Sequence, residues 1–138
     1  MVEHAAFAPV AAEQVNDYVR GGGGCSLDAI DGNTPAIMER SGKPLLHGWL
    51  ADIAVGIVPP HFEMVLRGQQ DFALRAHGGD QPRPDVAKYF DEPGLTQSGY
   101  EIIADASGVP PGDYSVVFLY TSEGQPVQCN PQVRITVK

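Results

Sequence analysis

The chain has 138 residues, room for one domain of ordinary size, and its hydrophobic fraction of 43% and charged fraction of 19% are globular values. Nine Lys and Arg against 17 Asp and Glu give a formal charge of −8, and the thinly spread cations argue against nucleic-acid partners and anionic membrane surfaces. Sixteen Gly and twelve Pro favour an all-β chain with many turns over a helical bundle, and no window approaches the roughly 20 apolar residues of a membrane span.

Residues 1–24 predict an N-terminal helical segment followed by a glycine linker. Pro9 suits a first helical turn, and Ala11, Ala12, Val15, Tyr18 and Val19 recur at helical spacing. Gly21 to Gly24 end any helix there. The opening residues show no basic region followed by a long apolar run, so no signal peptide is visible. The chain therefore reads either as cytoplasmic or as a mature or trimmed piece of a longer protein.

Residues 25–138 predict a β-sandwich domain. Cys25, Leu27 and Ala29 alternate with Ser26, Asp28 and Ile30 before the turn Asp31-Gly32-Asn33. Leu45, His47, Trp49 and Ala51 alternate with Leu46, Gly48, Leu50 and Asp52. His61 to Arg67 and Asp71 to His77 form a hairpin, with Phe62, Met64 and Leu66 opposite Phe72, Leu74 and Ala76. The crossover that follows predicts a short helix within 82–92. Pro84 suits its first turn, and Val86, Tyr89 and Phe90 form one apolar face. Tyr100, Ile102, Ala104 and Ala106 mark the next strand. Tyr114, Val116, Phe118 and Tyr120 mark a strand whose other face, with Val117 and Leu119, is also apolar, the pattern of a central strand. Val133, Ile135 and Val137 close the chain as an edge strand with a cationic outer face.

Cys25 opens the first of these strands and Cys129 precedes the last, so the two can close a disulfide. Two buried free thiols are the alternative. A disulfide points to an oxidising compartment, the periplasm or the cell surface, with the cytoplasm left open by the missing signal peptide.

The alternation over about seven strands predicts a mostly β chain, an immunoglobulin-like β-sandwich with the 82–92 helix in its crossover and the N-terminal helical segment ahead of it. The run VPPGDYSVVFLY resembles the turn and penultimate strand of fibronectin-III and immunoglobulin-like domains. The segments CSLDAIDG, PLLHGWLAD, RPDVAKYF with SGYE, PPGDYSVVF and a late Cys together resemble an uncharacterised bacterial cell-envelope β-sandwich module, an accessory domain of envelope polysaccharide proteins. That resemblance implies an envelope protein or glycan as partner and carries no catalytic residues.

The chemistry visible in the residues is sparse. His47, His61 and His77 with Asp52, Glu63 and Asp71 are the candidate metal or loop-end hydrolase cluster, although no HxH, HExxH or CxxC is present. Asp28, Asp31 and Asn33 offer oxygens to calcium, but such residues also serve turns. Trp49, Tyr89, Tyr100 and Tyr120 would make a sugar-stacking row if exposed, and core if not. The polar face of the crossover, Arg83, Asp85, Lys88 and Asp91, is the expected partner surface. The reading is a non-enzymatic binding or interaction module of the envelope, for glycan or protein, with no cofactor and no membrane insertion. The alternatives are a small hydrolase and a structural spacer.

Overall fold

A computed structural model describes residues 2–20 and 23–138. In chain order the elements are β1 (Glu3–Ala6), β2 (Ala8–Val10), α1 (Ala12–Asn16), β3 (Val19–Arg20), β4 (Gly24–Ile30), β5 (Ile37–Met38), β6 (Leu45–Ala51), β7 (His61–Arg67), β8 (Asp71–His77), α2 (Pro84–Tyr89), a 3-10 turn (Pro93–Leu95), β9 (Gly99–Asp105), β10 (Gly112–Ser122), β11 (Gln125–Cys129) and β12 (Arg134–Val137).

These strands make two sheets of mixed direction. The smaller runs β1-β9-β6-β4, and the larger runs β2-β8-β7-β10-β11-β3, with β12 branching from β10 and β5 pairing the far side of β12, so that β12 is not the edge strand its cationic face predicts. β10 is central, as its two apolar faces predict: it pairs β7 on one side, and β12 and then β11 on the other. The inner faces of the sheets interdigitate in one core. Phe62 from β7, Phe118 from β10 and Tyr100 from β9 form its ring cluster, with centroids 5.3–5.9 Å apart, so both sheets share it.

The inner face of the hairpin β7–β8 follows its alternation, Phe62, Met64, Leu66, Phe72 and Leu74 all being buried, while Val65 and Asp71 on the other face are buried as well. In β4 the register shifts between Leu27 and Ala29, a bulge at Asp28 that buries Ile30 in place of Ala29. Gly48 is a site of close approach: a Cβ there would overlap the Ser26 carbonyl oxygen and crowd the Tyr100 hydroxyl, which donates to that same carbonyl at 2.7 Å.

The N-terminal helix is corrected to a single turn, Ala12–Asn16, because most of this segment finds strand partners. β1 pairs in parallel with β9 and β3 in parallel with β11, β2 pairs antiparallel with β8, and Phe7 between β1 and β2 is buried in the core. Val15 on α1 is fully buried against Val65, Val117 and Leu119, so the turn covers the outer face of the larger sheet. Of the expected glycine linker, Gly21 and Gly22 lie outside the described residues, and Gly24 belongs to β4.

Cys25 and Cys129 form a disulfide, with Cα atoms 6.3 Å apart and 104 residues of sequence separation. It ties edge strand β4 of the smaller sheet to β11 of the larger. No helix among the described residues is long and apolar enough to cross a membrane.

Candidate binding surface on the crossover

The chain leaves β8 at His77 and turns through Gly79, whose φ of +76° suits glycine. It then crosses to the smaller sheet, where Gln81 and Gly99 exchange backbone hydrogen bonds. Pro84 occupies the first turn of α2, where its missing N–H costs nothing, and Asp91 ends the segment at φ +51°. A helix of six residues is not stable alone and must be held by packing. Val86 and Leu95 supply that packing, buried with Ala51 on the outer face of the smaller sheet and flanked by Trp49, Ile53, Ala87 and Phe90.

Arg83 is the polar fastening. Its Nε and Nη2 donate to the two oxygens of Asp85 at 3.0 and 2.8 Å, and its Nη1 donates to Asp28 Oδ2 at 2.7 Å. The hydrogen bonds to Asp85 come first among the influences that raise the already high guanidinium pKa, and burial opposes them. Arg83 in turn holds the Asp85 carboxyl down to about 2. Gly99 is required beside it, since a Cβ there would lie 2.8 Å from Arg83 Cγ and 2.9 Å from the Gln81 oxygen.

The expected partner surface therefore divides. Arg83 and Asp85 are engaged with each other and with Asp28, while Lys88 and Asp91 are exposed. The predicted apolar face is corrected at one position: Val86 is buried and Phe90 half-buried, but Tyr89 is 82% exposed. In so short a helix the i, i+4 pair covers the sheet, and the i+3 residue is left at its flank. The Tyr89 ring meets Phe90 edge-on at 4.8 Å, and Phe90 meets Trp49 at 5.9 Å. Three rings thus run in succession from a half-buried Trp49 on β6 out to solvent.

The other expected aromatics do not join this row. Tyr100 is buried, and burial drives its hydroxyl well above the ordinary range; Tyr120 is buried too, its hydroxyl pushed up to about 12 by burial and then by the Asp52 carboxylate.

The candidate cluster of histidines and carboxylates is dispersed. His61 and His77 face each other across the hairpin, whereas His47 lies in the smaller sheet opposite Glu101. Asp71 is paired with Arg67 at 3.1 Å, and the buried Asp52 accepts from Ser122. The three calcium candidates serve other ends. Asp28 holds Arg83, Asp31 Oδ1 accepts from the Leu45 N–H at 2.9 Å, and the Asn33 side chain donates to the Asp31 carbonyl. Among the described residues no group of three or more His, Cys, Asp or Glu side chains converges to hold a metal ion.

The role of Asp28 was not visible in the sequence, because its partner lies 55 residues away and no local period links them. Comparison with protein-family models, with curated proteins and with solved structures found no match to this chain.

Proposed function

We propose that this chain is a non-enzymatic binding module of the bacterial cell envelope, an immunoglobulin- or fibronectin-III-like sandwich that takes a saccharide on its crossover. The strand order supports the fold part of this reading. β4, β6 and β9 stand as strands A, B and E of that class, and β7, β10 and β12 as C, F and G, with β8 beside β7. Tyr114, near the start of β10, donates from its hydroxyl to the Pro110 carbonyl at 2.8 Å, the arrangement of a tyrosine corner. The Cys25–Cys129 disulfide supports an oxidising compartment.

The observation that carries the binding role is Tyr89. A large ring left 82% exposed on a segment fastened by Arg83 is a rigid, low-entropy contact surface. Its flat face suits the C–H face of a sugar ring, and the neighbouring Lys88 and Asp91 can bond sugar hydroxyls. The test is a glycan array probed with the wild-type chain and with Tyr89→Ala. Saccharide hits that vanish in the variant support the reading, and an empty array or hits that persist in Tyr89→Ala count against it.

A further inference from the structure

Outside the crossover, the sheet surface holds a second arrangement of chemically capable side chains. His61 and His77 are direct cross-strand partners at the open end of the β7–β8 hairpin, with ring centroids 4.9 Å apart. Both are exposed on the outer face of the larger sheet. Glu3 on β1 reaches His77 twice: Oε1 accepts from the His77 backbone N–H at 2.9 Å, and Oε2 lies 2.9 Å from ring Nδ1. A carboxylate on Nδ1 fixes the tautomer in which Nδ1 carries the proton and Nε2 presents its lone pair. That is the carboxylate–histidine pairing that orients metal-ligating imidazoles. Among the described residues the His61 ring makes no hydrogen bond, and Nε2 of His77 makes none either.

We propose that His61 and His77 together bind one divalent late first-row transition-metal ion, with Glu3 orienting His77 from behind. The spacing fits. With metal–nitrogen bonds of about 2.0–2.1 Å, an ion sits roughly 3.2 Å from each ring centroid, and two cis imidazoles then have centroids about 4.5–5.2 Å apart. The protein supplies two ligands and water the remainder. The site is therefore an open surface one, whose ion preference follows the general order with copper(II) ahead of nickel(II) and zinc(II).

The test is calorimetric titration of the full, oxidised chain with copper, nickel and zinc chlorides separately. One ion per chain is expected, with copper bound tightest and its paramagnetic resonance spectrum showing imidazole nitrogen ligation. His61→Ala and His77→Ala should each weaken binding at least about tenfold, and Glu3→Gln should weaken it about 10–100-fold. His4→Ala and His47→Ala should leave it unchanged, the first guarding against chelation at the chain's amino end. His61→Gln and His77→Gln serve if an alanine variant loses its circular-dichroism signature. No binding at millimolar metal, or binding that survives loss of both histidines, overturns the site. Wild-type affinity in Glu3→Gln overturns the role given to the carboxylate.

Discussion

The guanidinium of Arg83 closes on Asp28 at 2.7 Å, joining the crossover after β8 to edge strand β4 of the smaller sheet across 55 residues of sequence. The same guanidinium grips Asp85 two residues on, so one side chain sets both the start of α2 and its height above the sheet. The partly exposed Arg83–Asp28 pair contributes little energy, about 1 kcal/mol or less. Its larger effect is positional: it holds the segment that carries Phe90 and Tyr89.

Arg83→Met should therefore lower the unfolding free energy by about 1 kcal/mol, read from urea midpoints. The Asp85 carboxyl, held at about 2 by Arg83, should return toward the ordinary ~3.9 in the variant, read from its carbon resonance against pH. The Asp85 contribution is present above pH ~3.9 and fades as pH falls through about 2. An unmoved Asp85 titration would remove Arg83 as the cause.

The disulfide closes a loop spanning 104 residues of sequence, and the chain-entropy estimate for about 100 residues is ~4.7 kcal/mol, with ~2–4 typical of measured bridges. Alkylation without reductant should leave intact mass unchanged. The double variant Cys25→Ala, Cys129→Ala should lose about 2–4 kcal/mol in urea unfolding, and two alkylated thiols in the untreated chain would contradict the bridge.

Gly48→Ala should be among the most damaging single-methyl additions. Its Cβ overlaps the Ser26 carbonyl oxygen, which is backbone of the neighbouring strand and cannot swing aside, and it also meets the Tyr100 hydroxyl. A loss of about 2–3 kcal/mol is expected. Gly32→Ala serves as a contrast, since space around Gly32 is open and only its φ of +77° resists a side chain.

Strand residues with a period of two were legible where one face is core and the other solvent. His61 to His77 and Tyr100 to Ala106 follow their alternation, and the apolar second face of β10 predicts its central place. What the sequence hid depends on long-range partners. Glu3–Ala6 is short, and its pairing with β9 is parallel and remote, so no local signal marks it as a strand. The bulge at Asp28 reverses the alternation after Leu27 without any glycine to announce it. At the candidate site, the residues 83–91 were visible as a polar segment. The outward place of Tyr89 was not, because helical spacing groups it with Val86 and Phe90, and only the shortness of α2 separates them.

Alkaline pH should destabilise the fold through its buried tyrosines. Burial lifts the Tyr120 hydroxyl to about 12, with Asp52 adding to the shift, and burial raises Tyr100 and Tyr114 as well. A tyrosine in the unfolded chain ionises near ~10. The stabilisation is therefore full below pH ~10 and is lost as pH rises from there through about 12. Urea midpoints should fall between pH ~9 and ~11.5, and less steeply in Tyr120→Phe. Equal slopes for the two chains would exclude Tyr120 from the effect.

Trp49 is the sole tryptophan of the chain and stands 5.9 Å from Phe90, so its emission reports on the crossover surface directly. The decisive measurement is a Trp49 fluorescence titration with soluble glucose, N-acetylglucosamine and mannose oligosaccharides, run on the wild type and on Tyr89→Ala. A saturable change is expected with at least one oligosaccharide, with about a tenfold weaker affinity in the variant, some 1.4 kcal/mol. No response to any of them at millimolar concentration, or equal affinity in the two chains, would contradict it.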